Sequence, residues 1–190
     1  MSRLLYLMGA SGSGKDSLLE ALRRELPAGV AVAHRYITRA ADAGCENHIA
    51  LSEAEFIQRQ QQGLFALQWQ AHECRYGVGI EIDSWMQLGC QVVVNGSRAH
   101  LESARQRYGT LLLPVCLQVS EAVLAERLTR RGREDVMQIA CRLRRAREYD
   151  NALPSGCQRL NNDGELQDTL RALRELLSRQ KKTHGEMQES

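Results

Sequence analysis

Lysine is almost absent from this 190-residue chain: Lys15, Lys181 and Lys182 are the only lysines among its 25 basic residues, and the other 22 are arginine. A bias in composition accounts for part of this. Guanidinium forks also grip phosphates bidentately, so some of the arginines are expected to face a highly anionic ligand. The net charge is nevertheless only +2, too balanced for a general nucleic-acid binder. Aromatic residues make up 5% of the chain, so Phe65, Trp69 and Trp85 are expected to fill the core rather than serve as stacking platforms. The six cysteines, at positions 45, 74, 90, 116, 141 and 157, form no C-x-x-C pair. That argues against a zinc site and against a disulfide framework, and leaves reduced, mostly buried thiols as the expectation. No apolar run approaches about 20 residues, and the apolar start from Leu4 to Met8 passes directly into a glycine-rich turn. Neither a membrane span nor a signal peptide is expected, and the chain reads as cytoplasmic.

What the chain does contain is ordinary globular material, 43% hydrophobic, of a length that suits one domain of about 100 to 200 residues. A single domain over residues 1–180 is expected, followed by a polar tail over 181–190. Its most informative segment is Met8-Gly9-Ala10-Ser11-Gly12-Ser13-Gly14-Lys15-Asp16-Ser17. The residues before it read as a buried strand. Those after it, with Leu18, Leu19, Leu22 and Leu26 at helical spacing, read as a helix opening at Lys15. Glycines between a strand and a helix let backbone N–H groups converge on phosphate oxygens, and the helix N-terminus favours an anion. Lys15 adds a point charge for the terminal phosphates, so the segment is expected to bind a nucleotide. Asp16 stands where such a loop carries the Ser or Thr that ligates Mg²⁺, with Ser17 one residue late.

Along the rest of the chain short apolar strands alternate with amphipathic helices. Strands are expected near Val30–Ala33, Phe65–Trp69, Cys90–Val94 and Leu111–Val119. Helices are expected near Glu53–Gln62, Ile80–Leu88, Leu101–Tyr108, from the Ser120 cap to Arg130, near Val136–Tyr149 and near Leu166–Gln180. The rhythm predicts an α/β fold, a central mainly parallel sheet flanked by helices. Arg127, Arg130, Arg131 and Arg133, then Arg142, Arg144, Arg145 and Arg147, put so much positive charge around Gly132 that residues 130–147 read as an arginine-rich helical lid closing on phosphate. Asn161-Asn162-Asp163-Gly164 reads equally as an adenine-contacting loop or as a capped turn. His48 and His72 read as structural rather than catalytic, with no metal-ligand spacing.

These blocks resemble the guanylate kinase family of P-loop kinases. The resemblance runs through the glycine-rich loop, Arg35-Tyr36-Ile37-Thr38-Arg39, Gly44 to Glu46, Phe56, Trp69, Tyr76-Gly77 and the Arg127-Leu128, Arg131-Gly132, Ile139 and Arg142-Leu143 positions. Within it, residues 12–17, 34–39, 46–51, 94–101 and 160–164 are most similar to the ribose 1,5-bisphosphate phosphokinase branch. That resemblance implies transfer of the ATP γ-phosphoryl group to the anomeric phosphate of a small phosphorylated sugar, with Mg²⁺, in phosphonate breakdown. It implies that Gly9 to Ser17, Arg127 and Asn161 bind nucleotide, and that Asp16 or Ser17 binds metal. It places Arg35, Arg39, Glu46, Gln68, Tyr76 and Arg98 on the acceptor, and Lys15, Asp16, Arg131 and Arg142 at the chemistry.

The departures from guanylate kinases carry chemical meaning. Gln68 replaces a Glu and Val78 a hydroxyl residue, both of which read guanine in that family; an amide and an alkyl group leave the base's polar groups unpaired and disfavour it. Asn95 ends a strand that ends there in a carboxylate, and Asp16 is expected to restore that charge. The alternatives are a nucleoside monophosphate or other small-metabolite kinase and, from another class, a non-catalytic guanylate kinase-like interaction domain. Retention of Lys15 and its glycines disfavours the last.

Overall fold

The structure, a computed structural model, describes residues 2–43, 46–132 and 134–185, with side chains up to residue 178. Gly44, Cys45 and Arg133, each part of an expectation above, and residues 186–190 of the expected tail lie outside the described residues.

Five parallel strands form the central sheet: β1 (Leu4–Gly9), β2 (Val30–Val32), β7 (Gln91–Asn95), β8 (Leu112–Gln118) and β9 (Gln158–Asn161), in the order β2-β7-β1-β8-β9. The first five residues of β1 are buried on both faces, as a continuous apolar run in a central parallel strand should be. Alternate residues feed two cores. Leu5, Leu7, Val93, Val115 and Leu117 pack against α1 (Lys15–Arg24) and α7 (Leu166–Gly185) in an aliphatic cluster. Leu4, Tyr6, Met8, Val92 and Val94 pack the other way, against α3 (Glu81–Gln87), α4 (Leu101–Tyr108) and a second sheet. Leu18 and Leu22 of α1 are fully buried. At roughly 1.5–3 kcal/mol for each fully buried leucine, they hold the helix that carries Lys15 firmly against the sheet.

The second sheet is the main departure from the expected alternation. It has the order β4-β3-β6-β5, from β3 (Arg35–Ile37), β4 (Ile49–Ala50), β5 (Phe65–Ala71) and β6 (Cys74–Gly79). The Phe65–Trp69 strand belongs here, paired antiparallel with β6, rather than in the parallel series. Two of its members are short, β4 is exposed and β6 contains two glycines, so apart from β5 none shows the apolar run that marks a strand in the sequence. His72 and Glu73 make the two-residue β5–β6 turn, at φ 48° and 60°, the left-handed geometry that suits tight hairpins. His72 is therefore an exposed turn residue.

The remaining helices, α2 (Glu53–Gln61), α5 (Glu121–Arg131) and α6 (Val136–Asn151), fall close to their expected positions. Ser120 caps α5, and Asp135 and Gln138 form a reciprocal capping box at α6. α7 continues to Gly185, five residues into the stretch expected to be a tail. Of the described cysteines only Cys116 is buried, and 74, 90, 141 and 157 are half-buried, a correction to the expectation of mostly buried thiols.

Candidate active site

Parallel pairing brings the carboxyl ends of β1, β7, β8 and β9 to one edge of the central sheet, and the strand order reverses at β1. In open α/β sheets that edge is where ligands bind. The loop from Gly9 to Lys15 lies there. Gly12 and Gly14 have φ of 89° and 95°, and Gly14 occupies the N-cap position of α1 without any side-chain cap. The first-turn N–H groups of α1 are thus left to an external acceptor. Lys15 folds across the loop, its Nζ donating to the Gly9 and Ala10 carbonyls at 2.7 and 3.1 Å. Burial lowers its pKa to about 8, opposed by the charge of Asp16.

On the α5 side of the loop is a cleft of about 650 Å³ whose lining includes Gly12, Gly14, Ser17, Arg127, Arg131 and Asn162, within the size range of small-ligand sites. Arg127 is fixed there by donating to the Asn162 carbonyl at 2.7 Å. Asn161, the residue expected to contact nucleotide, is exposed and turned into a local ring with Asp163, accepting from its N–H at 2.9 Å and donating to its carboxylate at 3.2 Å. Its neighbour Asn162 lines the cleft instead; the Asn-Asn pair was the signal, and the strand's alternation decides between them.

On the other side of β1 a charged cluster joins residues 79 positions apart. Asn95, at the end of β7, donates to Asp16 Oδ1 at 3.3 Å and to Glu46 Oε1 at 3.4 Å, so the expected link between Asp16 and the amide at 95 is a direct contact. Glu46 takes both edges of the Arg35 fork, Nε at 2.6 Å and Nη2 more closely, and lies 3.7 Å from Arg39. The Arg35 guanidinium is stacked 4.9 Å from the Tyr76 ring centroid, and Tyr76 is in turn parallel to Trp69 at 5.6 Å. His48 ties the intervening loop together through the Glu46 and Arg39 carbonyls at 2.9 and 3.2 Å, which is the structural role expected of it. A small cavity of about 20 Å³ is bounded by Asp16, Glu46, Asn95 and Arg23.

Among the described residues no group of three or more His, Cys, Asp or Glu could hold an ion unaided. Asp16 and Glu46 present hard oxygens, however, and the buried Asn95 Oδ1 has no hydrogen-bond partner. One or two carboxylates completed by substrate phosphates is the manner in which Mg²⁺ is usually held, so the residues fit that ion. Asp16 and Ser17, the two expected ligands, face different ways: Asp16 toward Asn95, Ser17 into the nucleotide-side cleft.

Other expected contacts are separated. Arg98 donates to the Tyr149 carbonyl at 2.6 Å with its guanidinium 3.9 Å from that ring's centroid, so it anchors the end of α6. Arg142 is paired with Glu134 at 2.9 Å and Arg147 with Glu121 at 2.5 Å. The arginine-rich hairpin is therefore partly neutralised from within, and among the described residues Arg127, Arg130 and Arg131 are the arginines that line the cleft. The β5–β6 register pairs Gln68 with Gly77 and Leu67 with Val78. Gln68 is exposed and Val78 lies at 0% exposure in the core. The two positions expected to read a base together leave opposite faces of the sheet, because the two-residue turn at His72 and Glu73 sets that register.

A family model described as an AAA domain matches residues 5–150. The ribose 1,5-bisphosphate phosphokinase PhnN of Dickeya zeae (strain Ech586) is 63% identical over 181 residues, covering 95% of this chain and 96% of that protein. The chain belongs to the ribose 1,5-bisphosphate phosphokinase family. A second family member, from Yersinia pestis, is 61% identical over 178 residues, 94% of this chain and 92% of that one. In fold, the guanylate kinase from Anaplasma phagocytophilum is similar at a TM-score of 0.66 and 15% identity, covering 94% of this chain and 86% of that one. The chain is a P-loop kinase with a guanylate kinase-like fold. No helix among the described residues is long and apolar enough to cross a membrane.

Proposed function

We propose that this protein transfers the γ-phosphoryl group of ATP to the anomeric phosphate of ribose 1,5-bisphosphate, releasing ADP and 5-phospho-α-D-ribose 1-diphosphate, in phosphonate breakdown in the cytoplasm. The observation that carries the reading is the near-full-length identity to relatives named for that substrate, joined to a charged cluster with two arginines on the other side of β1 from the nucleotide cleft.

The polyphosphate enters along the cleft beside Arg127, with the Gly12 to Gly14 N–H groups and Lys15 on its β- and γ-phosphates. The acceptor is a phosphate monoester whose second pKa lies near about 6, so it arrives largely dianionic and needs no strong base. An oxygen of that phosphate attacks the γ-phosphorus in line, the bond to the β-bridging oxygen breaks, and the electron pair leaves with ADP. The protein's part is to position the two anions and neutralise them. Arg35 and Arg39 are assigned to the acceptor phosphate, with Tyr76 setting the plane of the Arg35 fork. Arg131, and Arg142 if it exchanges Glu134 for the transferring group, are assigned to the transition-state charge on a closing lid. Mg²⁺ would be held by Asp16 and the phosphates, within reach of Asn95, and would supply neutralisation of phosphate charge.

Incubation with Mg·ATP and either ribose 1,5-bisphosphate or GMP, with ADP quantified and the product identified by mass, tests the assignment. 5-Phosphoribosyl 1-diphosphate with little transfer to GMP is expected; preferential formation of GDP would overturn the acceptor and leave the nucleotide site standing.

A further inference from the structure

The P-loop is gripped from behind by a side chain that the assignments above leave without a role. Asn162 follows β9 and is 3% exposed. All four of its polar groups are bonded. Its N–H donates to the Gln118 carbonyl at 2.8 Å, its carbonyl accepts from Arg127 at 2.7 Å, its Nδ2 donates to the Ser13 carbonyl at 2.7 Å, and its Oδ1 accepts from the Thr169 hydroxyl at 2.8 Å. Thr169 lies on α7 and is equally buried. A hydroxyl has one hydrogen to give. The Asn161 carbonyl is farther from it, at 3.2 Å, so Asn162 receives that hydrogen. The Ser13 carbonyl can only accept, so Nδ2 faces it and Oδ1 is left to take the hydroxyl's hydrogen. The Ser13 carbonyl thus sets which way the amide faces, and the α7 hydroxyl holds its other end.

Ser13 stands between the two glycines of positive φ. In a planar trans peptide the C=O of one residue and the N–H of the next point in opposite directions, so the direction of the Ser13 carbonyl dictates that of the Gly14 N–H. Glycine offers little steric resistance to rotation of that peptide. Turned by half a revolution, the loop would present a carbonyl oxygen where a phosphate requires a donor. A Cβ at Gly14 would stand 2.6 Å from Asn162 Nδ2, so the closeness of the amide also requires this glycine.

We propose that Asn162, backed by Thr169, is a positioning residue for the nucleotide's phosphates, holding the Ser13–Gly14 peptide so that the Gly14 N–H stays available to them. The proposal rests on the P-loop being the nucleotide site. It makes α7, which supplies the hydroxyl from behind, part of the ATP-binding apparatus.

Four variants of the full chain separate this from a packing role: Asn162→Asp, Asn162→Leu, Thr169→Val and Thr169→Ser. The Kd for Mg·ADP is measured by calorimetry, KM for ATP and for the acceptor by steady-state kinetics, and Tm by thermal melt. Asn162→Asp sets a second acceptor against the Ser13 carbonyl and should weaken Mg·ADP about tenfold or more, and Asn162→Leu comparably. Thr169→Val keeps the shape and loses the hydroxyl, and should weaken nucleotide several-fold. Thr169→Ser keeps the hydroxyl and should bind as wild type. In each, the acceptor KM should stay within twofold. An unchanged Mg·ADP Kd in Asn162→Asp and Thr169→Val, or a parallel rise in both KM values, would overturn the positioning role. A wild-type protein that binds no Mg·ADP would instead overturn the kinase reading on which it rests.

Discussion

On the α5 side of β1 the groups offered to a ligand are chiefly main-chain N–H groups from one turn, Gly9 to Lys15. On the other side Arg35, Glu46, Trp69, Tyr76 and Asn95 come from separate segments and meet through the second sheet and the end of β7. The first arrangement depends on backbone conformation, and what it cannot tolerate is an added Cβ or a lost lysine. The second depends on charge balance. Arg35 and Glu46 have side chains only 13% and 10% exposed, so neither can be removed without leaving the other charged and poorly solvated. A kinase built this way should separate nucleotide binding from fold stability, and should be unable to separate acceptor binding from it.

The sharpest way to break that contrast is Lys15→Met. Loss of a phosphate-facing charge should lower kcat/KM by roughly 10³-fold, while the Tm at pH 7 stays no lower than wild type. The sign follows from the lysine's pKa of about 8 against an ordinary 10.5. At pH 7 it is charged in both folded and unfolded chains, and the fold bears its desolvation. Between pH 8 and 10.5 the folded chain binds fewer protons than the unfolded one, so wild-type stability gains with rising pH. Any Tm advantage of Lys15→Met should therefore shrink across that interval. Melts of both proteins from pH 7 to 10.5 check it; a clear fall in Tm at pH 7 would mean that the two loop carbonyls depend on the ammonium.

Arg35→Lys tests the other side. It keeps the charge and removes the fork, so one edge of Glu46 loses its donor. The acceptor KM should rise about 10²-fold, as expected for losing about 2–3 kcal/mol of bidentate recognition. Tm should fall with it, and the KM for ATP should stay within twofold. Acceptor KM rising with an unchanged Tm would mean that Glu46 is held by its other neighbours, the Arg39 guanidinium at 3.7 Å and the Asn95 amide at 3.4 Å.

The same contrast explains what the sequence discloses. Leu4 to Met8, the glycines and Lys15 lie next to one another, and their local geometry is already implied by residue type, so the strand, the turn and the helix start are legible in order. The helices are legible as well, because Ser120, Gly132 and the leucine spacing act within a turn or two. The second sheet is legible only in its Phe65–Trp69 strand, since the others are short or glycine-containing and β3 and β6 are defined by partners 39 to 43 residues apart, from Ile37 with Tyr76 to Arg35 with Val78. The arginine assignments suffer for the same reason. Composition marks the arginines as a group, but the carboxylates that occupy Arg142 and Arg147, and the Tyr149 ring beneath Arg98, become visible only in three dimensions. Asn161 and Asn162 are adjacent and chemically identical, and one peptide's rotation along β9 sends one outward and the other to the P-loop.

The smallest expected effect lies at the rim of the nucleotide cleft. Asp163 lines it, and its carboxylate accepts from the Ser120 N–H at 2.6 Å, at the start of α5. That hydrogen bond, chiefly, holds its pKa below the ordinary 3.8. The linkage sign for a depressed carboxylate is that its contribution is complete above the unfolded pKa and is lost as pH falls through the folded one. Asp163→Asn keeps an acceptor oxygen for Ser120 and removes only the charge, in a partly solvated position where charge contributes little. Tm should drop by a degree or two at pH 7, with the difference from wild type closing as pH is lowered from 3.8. The KM for ATP should stay within twofold, because the phosphate donors belong to the backbone of another loop. A larger rise in that KM would show that the nucleotide side depends on a carboxylate at its rim as well as on its loop and Lys15, and would weaken the distinction between the two halves of the site.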